Sequence, residues 1–345
     1  MTEALIRELE MRREELPGRT LETVYFGGGT PSLLNETELH SIFEAISKYF
    51  DIAPGAEITL EANPDDLNNA YLRMLRHTPV NRFSIGIQSF RDEDLRLMNR
   101  SHTASEAEAS VKRAQDAGFE NITIDLIYAL PGLTASDWKL NILKAIALDV
   151  PHLSSYCLTV EPKTALAHFV KQGKINPADE ELAESHFRIL AETTSAAGYE
   201  QYEISNFAKP GFQAVHNSSY WKGEPYLGIG PSAHSFAGRS RRWNVANNNT
   251  YMKNIFEGKA AYEEEQLSDN ERFNEIIMTG LRTTWGVNLT AVEIQFGSDF
   301  MKHLHSECAP LLEQGKLMIK DNHLIIPQEF RFLSDGIAAD LFLVD

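Results

Sequence analysis

The chain has 345 residues, enough for one large domain and a smaller companion, and its 43% hydrophobic and 23% charged content is that of an ordinary globular protein. A formal charge of −17 excludes general binding to nucleic acid or an anionic membrane surface, both of which need a basic footprint. No apolar run approaches the roughly 18 residues of a membrane span, and the opening MTEALIRELEMRREEL is too charged for a signal peptide, so a cytoplasmic location is the expectation. The two cysteines, Cys157 and Cys308, make neither a disulfide framework nor a CxxC metal site.

In chain order, short β-branched runs alternate with helical patterns. TVYF (23–26) reads as a strand and runs straight into GGGTPS. ELHSIFEAISKYF follows with Leu39, Ile42, Ile46 and Phe50 near helical spacing. Further strands are EITLEANP (57–64), RFSIGIQS (82–89), NITIDLIYALPG (121–132) and LSSYCLTVEP (153–162). SEAEASVKRAQDAG, with Gly118 at a C-cap position, and ASDWKLNILKAIALD are the helices between them. Strands recurring every 30 or so residues without a hairpin signal predict a parallel sheet covered by helices, and both a barrel and an open doubly wound sheet fit that pattern.

The second half changes rhythm. ADEELAESHFRILAETTSAAG (178–198) is an amphipathic helix, and YEQYEISNFAKPG reads as a strand leading out of the sheet. HNSSYW (216–221) opens a stretch dense in glycine, proline and aromatics, predicting an ordered loop anchored by its rings. From about residue 271, ERFNEIIMTGLRTTWGV and FMKHLHSECAPLLEQGKL are helical, LMIKDNHLIIP is a short hairpin and EFRFLSDGIAADLFL a closing helix. Helices with a β-wing predict a winged-helix-like module that lacks a basic recognition helix, a lid or packing domain rather than a DNA reader.

Chemistry on a parallel sheet collects at the C-terminal strand ends. There the sequence puts Gly27, Gly28, Gly29 and Thr30 after one strand, Glu61 and Asn63 on the next, Gln88 on the third and Asp125 within the fourth. A tight turn could explain three glycines, and an aspartate inside ITIDLIY is harder to dismiss, because an unpaired buried carboxylate is costly. The polarity of the set suits a small zwitterion carrying a ribose, its amine facing carbonyls and carboxylate.

YFGGGTPS, EANPDD, GIQSF followed by LMNRSHT, NITIDLIYALPG and HNSSYWKGEPYLGIGPSAHSF together resemble the coproporphyrinogen-dehydrogenase-like branch of the radical S-adenosylmethionine (SAM) family, most closely the HemW-type haem chaperones. The match runs in order over nearly the whole chain. It implies a partial TIM-like (β/α)6 barrel over 1–205, a connecting region over 206–265 and a helical, winged-helix-like domain over 266–345. Carried over residue by residue, Gly28, Gly29, Thr30, Glu61, Gln88, Arg100, Asp125 and Thr159 are the implied SAM contacts. His216, Asn217, Tyr220 and Trp221 complete the family's HNxxYW motif and are the implied haem contacts, with His216 the iron ligand; imidazole is a common haem-iron ligand and flat rings suit a porphyrin face. His234, in PSAHSF, is a second candidate with a structural role.

One departure bears on chemistry. Family members hold a [4Fe–4S] cluster through CxxxCxxC after the first strand, and this sequence has no such motif. The expectation is a barrel missing its first strand, with the cluster segment upstream of Met1; a natural cluster-free variant is the alternative. Radical cleavage of SAM is then not expected of these residues, and no catalytic residue is assigned. The implied function is binding haem and delivering it to apo-haemoproteins of the respiratory chain. An oxygen-independent coproporphyrinogen III oxidase and an inactive cluster-less fragment or paralogue are the alternatives.

Overall fold

A computed structural model of the chain describes residues 1–160, 165–173 and 179–344. The last two residues of the strand expected over 153–162, and the first of the helix expected over 178–198, lie outside them. Helix α1 (Thr2–Arg12) is followed by β1 (Thr20–Phe26), α2 (Glu36–Tyr49) and β2 (Asp51–Ala62). The start of α2 is written locally: Asn35 accepts from the Glu38 amide while the Glu38 carboxylate accepts from the Asn35 amide, a reciprocal cap. Next come α3 (Asn69–Leu75), β3 (Arg82–Gln88), α4 (Asp92–Leu97), α5 (Ala104–Asp116) and β4 (Asn121–Tyr128). Thr103 and Glu106 repeat the reciprocal cap at α5. Then α6 (Ala135–Ala147), β5 (His152–Cys157), α7 (Ala165–Lys171), α8 (Glu180–Ala196), β6 (Glu200–Gln201) and β7 (Asn206–Ala208) complete the first architecture.

These strands form one seven-stranded sheet in the order β1-β2-β3-β4-β5-β7-β6. β2, β3, β4 and β5 pair in parallel, while β5–β7 and β6–β7 are antiparallel. The fold is an α/β half-barrel: the spacing of apolar runs anticipated its helix-covered parallel sheet, and the family resemblance its partial-barrel form. The stretch expected as one outgoing strand is instead the β6–β7 hairpin, which turns back at Tyr202–Ser205 so that Phe207 and Ala208 bury fully against β5. No residue of β3 or β4 is exposed and most are buried, as expected of strands at the centre of a covered sheet.

The remaining elements are α9 (Val215–Trp221), β8 (His234–Ala237), β9 (Ser240–Asn244), α10 (Asn248–Phe256), β10 (Tyr262–Gln266) and α11 (Asp269–Leu281). After them come β11 (Val287–Asn288), α12 (Leu289–Phe296), α13 (Ser298–Glu313), β12 (Met318–Lys320), β13 (His323–Ile325) and α14 (Ser334–Ala339). The expected closing helix is a six-residue 3-10 turn leading into a six-residue α14. β12–β13 is the hairpin read from LMIKDNHLIIP, and with β11 it makes the small sheet of the helical module. That module closes on Phe273, Ile277, Leu304 and Leu324, each at most 1% exposed.

A second antiparallel sheet, β10-β9-β8, was not anticipated. Its strands are polar, but opposite charges face each other across it: Arg241 opposite Glu265 and Arg242 opposite Glu264.

The described residues divide into two compact units. One comprises Met1–Val24, Leu34–Glu57 and Val215–Asp345, the other Tyr25–Leu33 and Ile58–Ala214. Among the described residues no helix is long and apolar enough to cross a membrane.

Candidate functional site

Two constellations emerge, one in each unit. In the second unit the glycine turn closes over Glu61. Tyr25 donates its hydroxyl to Glu61 Oε1 at 2.8 Å, and the Gly28 amide donates to Oε2 at 3.2 Å. A Cβ on Gly27 would lie 2.6 Å from the Tyr25 ring and 2.9 Å from Glu61 Oε1, so side-chain-free backbone is required there by close approach. Gly28 and Gly29 answer a different need. Their φ angles of 68° and 126° are left-handed, and a Cβ on either would meet only open space. The turn is thus anchored underneath at Gly27 and open above Gly28 and Gly29. Burial, reinforced by Glu61, pushes the Tyr25 hydroxyl pKa up, so it stays a donor.

Beside it, Ser84 donates to the Asp125 carboxylate, with oxygens at 3.2 and 3.1 Å. Burial, with the charge of Glu61 beside it, pushes the Asp125 pKa up to about 7 against the Ser84 hydrogen bond. A second knot forms at the end of β3. Gln88 has φ 66°, at a register shift between Ile85 and Gln88, which re-aims its side chain. A Cβ on Gly86 would come 2.8 Å from Gln88 Nε2, so this glycine lets the amide fold back. Arg100 Nη2 donates to Asn63 Oδ1 at 2.8 Å and to the Gly86 carbonyl at 3.1 Å. Gly28, Glu61 and Asp125 are therefore brought together with Tyr25 and Ser84, while Gln88 and Arg100 meet around Gly86. Thr30 and Thr159 are exposed, and neither side chain hydrogen-bonds to these groups.

Deeper in the same unit a polar line crosses the sheet. Arg82 donates to Thr123 Oγ1, Thr123 lies 3.1 Å from His152 Nδ1, and His152 Nε2 lies 2.9 Å from the Tyr202 hydroxyl. Burial and the neighbouring Arg82 hold His152 well below its ordinary pKa, hence neutral. Sequence reasoning missed Tyr25, Ser84 and this line. The period-2 register of RFSIGIQ, which puts Arg82, Ser84, Gly86 and Gln88 on one face, was the available signal.

In the first unit, Glu57 is 7% exposed and accepts the Val215 and His216 amides, each at 2.9 Å, starting α9. His216 Nδ1 lies 2.8 Å from Thr23 Oγ1, and Nε2 lies 2.8 Å from the Tyr220 hydroxyl one turn on. The two rings meet edge-on with centroids 4.8 Å apart, and Tyr220 meets Tyr226 in the same way at 4.6 Å. Burial pushes the Tyr220 pKa up to about 12. Trp221 carries Arg282 over its ring at 5.2 Å, and Lys222 sits 5.1 Å above Trp285. Asn217 is half-buried on the same helix. His234 begins β8, and its carbonyl would be 1.9 Å from a Cβ on Gly228, so these backbones pack directly.

The loop Gly228–Ser235 is held by α1. Glu8, 1% exposed, accepts from Arg12 at 2.8 Å, Asn244 at 2.7 Å, the Gly230 amide at 2.8 Å and the Tyr251 hydroxyl at 2.5 Å. Arg12 in turn donates to the Gly228 carbonyl and to Ser235 Oγ. In the sequence these two residues pass for a solvated i,i+4 pair.

The Radical SAM superfamily profile matches residues 2–142, and that of the HemN C-terminal domain matches residues 267–333. A Lactococcus lactis protein named haem chaperone HemW is 35% identical over 99% of this chain and 89% of its own length. Its Bacillus subtilis namesake is 33% identical over 92% and 84%. This chain belongs to the HemW family of the radical SAM superfamily. A bovine mitochondrial radical S-adenosyl methionine domain-containing protein 1 is 34% identical over 94% of the chain and 76% of its own length. The solved Escherichia coli HemN, described as a coproporphyrinogen III oxidase and radical SAM enzyme, shares the fold with TM-score 0.84 at 23% identity, over 99% of this chain and 82% of its own.

Membership of the superfamily implies SAM and a [4Fe–4S] cluster as the family's cofactors. The residues around Glu61 fit the first in kind: an open glycine turn and two carboxylates. The cysteines do not fit the second. Cys157 is exposed at the end of β5 and Cys308 is buried in α13, in different units, and no three His, Cys, Asp or Glu among the described residues gather to hold a metal.

Proposed function

We propose that this protein is a haem chaperone, binding haem at the α9 motif and handing it to apo-haemoproteins, of which those of the respiratory chain are the expected recipients. The observation that carries this is the setting of His216, with Nδ1 2.8 Å from Thr23 Oγ1 and Nε2 2.8 Å from the Tyr220 hydroxyl. Thr23 Oγ1 is placed to accept from an Nδ1–H, and that tautomer would leave the Nε2 lone pair for iron. Tyr220, 38% exposed, can turn outward and yield that position to iron. Asn217, Tyr220 and Trp221 then line the porphyrin. Resemblance also supports Gly28, Gly29, Thr30, Glu61, Gln88, Arg100, Asp125 and Thr159 as the SAM-facing residues, with Glu61, preorganised by Tyr25 and Gly28, as acceptor for the amine or ribose. SAM cleavage is not assigned, because the chain's own cysteines do not form a cluster set. The oxidase alternative is supported by the HemN C-terminal domain match and a likeness of fold at 23% identity, less than the full-length HemW relatives give the chaperone reading.

A haem titration followed by absorbance tests the proposal. One haem per chain is expected for the wild type, with His216→Ala losing the imidazole-ligand band. Thr23→Val should keep the ligand but bind about two- to thirteenfold more weakly, from one lost hydrogen bond of roughly 0.5–1.5 kcal/mol. Equal, unsaturable binding by wild type and His216→Ala would overturn the reading.

A further inference from the structure

Trp221 Nε1 and Arg282 Nε are both buried N–H donors without an acceptor among the described residues. Buried donors left unpaired are uncommon in folded proteins, and these two belong to stacked side chains, the guanidinium 5.2 Å from the indole centroid. Two orphaned donors on one stacked pair ask for a group rich in acceptor oxygens. Immediately after Trp221, the Lys222 ammonium lies over Trp285 and has no carboxylate within ion-pair distance among the described residues. Arg282 does have one partner, Asp335, at 2.6 Å from Nη1, but that carboxylate is 74% exposed and leaves Nε unserved. In a chain of net charge −17, this end of α9 carries two cations laid over two indole faces.

We propose that Arg282, Trp221 and Lys222 form a carboxylate-binding subsite that takes the propionates of a porphyrin. The proposal rests on the haem reading of His216 and deepens it. Trp221 lies five residues beyond His216 on the same helix, about 7.5 Å of rise, which separates the carboxylate anchors from the imidazole along that helix. Two cations match two propionates. The guanidinium fork and indole N–H hold one carboxylate through directed bonds, and Lys222 meets the other as a point charge. The indole faces cover apolar macrocycle between them.

The test compares haem with haem dimethyl ester, in which both propionates are esterified, against wild type, Arg282→Gln, Lys222→Gln and the double variant. Each single change should weaken haem binding on the order of tenfold, and the double variant more, while affinity for the diester stays the same in all four proteins. Unchanged haem affinity in the variants, or equal losses for haem and diester, overturns the subsite and leaves the haem reading standing. Failure of the wild type to bind either compound saturably overturns the haem reading, and the subsite with it. A melting curve accompanies each variant. Should Arg282→Gln melt early, Arg282→Lys takes its place; it keeps the charge but not the fork, and should lie between wild type and Lys222→Gln for haem only.

Discussion

Replacing Glu8 by glutamine changes one atom's identity at the centre of a buried polar cluster. The carboxylate accepts four hydrogen bonds, two on each oxygen, from Arg12, Asn244, Gly230 and Tyr251. In the Glu8→Gln variant one oxygen becomes an NH2, so two of the four donors face a donor. An unmade buried hydrogen bond costs about 1–3 kcal/mol, giving roughly 2–6 kcal/mol for two. The route through charge agrees: Arg12 and Glu8 are 5% and 1% exposed, and removing one partner of a buried ion pair costs about 3–5 kcal/mol. The expected loss is therefore about 3–5 kcal/mol. Glu10→Gln on the same helix, whose 3.6 Å pair with Arg7 is 42% exposed, should cost less than about 1 kcal/mol. Urea unfolding followed by tryptophan fluorescence reads both, because Trp221, Trp243 and Trp285 lie in the same unit as Glu8. Equal midpoints for the two variants would refute the assignment of the Glu8 cluster as the anchor of the Gly228–Ser235 loop.

Two further perturbations separate the roles of residues at the strand ends. Gly27→Ala forces a methyl into the Tyr25 ring and the Glu61 carboxylate and should lower stability by about 1–3 kcal/mol while weakening SAM binding by calorimetry; Gly28→Ala meets open space and should cost only the left-handed strain, about 1 kcal/mol. A larger stability loss at Gly28 than at Gly27 would contradict the close-approach argument. Asp125→Asn tests the raised carboxyl. Folding lifts its pKa from 3.8 to about 7, so the native state holds the proton more tightly and its contribution declines as pH rises from the ordinary value through 7. The variant escapes that decline, and its urea midpoint should match wild type near pH 4 and exceed it increasingly towards pH 8. A difference independent of pH would rule out titration of Asp125.

Much of the half-barrel was legible because its information is local. Apolar runs such as FSIGI and ITIDLIY mark strands buried on both faces, and Asn35 with Glu38, or Thr103 with Glu106, announce helix starts within four residues. The second small sheet was missed because β9 and β10 carry facing charges, Arg241–Glu265 and Arg242–Glu264, and show no run of alternating apolar residues. The strand-end residues were legible as a set, since position on a parallel strand already says which end a residue occupies; that Gly27 and Gly28 serve different needs was not.

The sequence by itself determined the family, the α/β class, the two candidate motifs and the mismatch between the chain's cysteines and a cluster, all of which rest on residue identity and short-range spacing. Only the tertiary structure decided which groups meet: Thr23 with His216, 193 positions apart, Glu8 with Asn244 and Tyr251, 236 and 243 apart, and Arg282 with Trp221. Pairs so distant leave no periodic trace, because each partner's local surroundings satisfy the rules of its own helix or strand, and their contact is selected only when burial forces every polar group to find a mate.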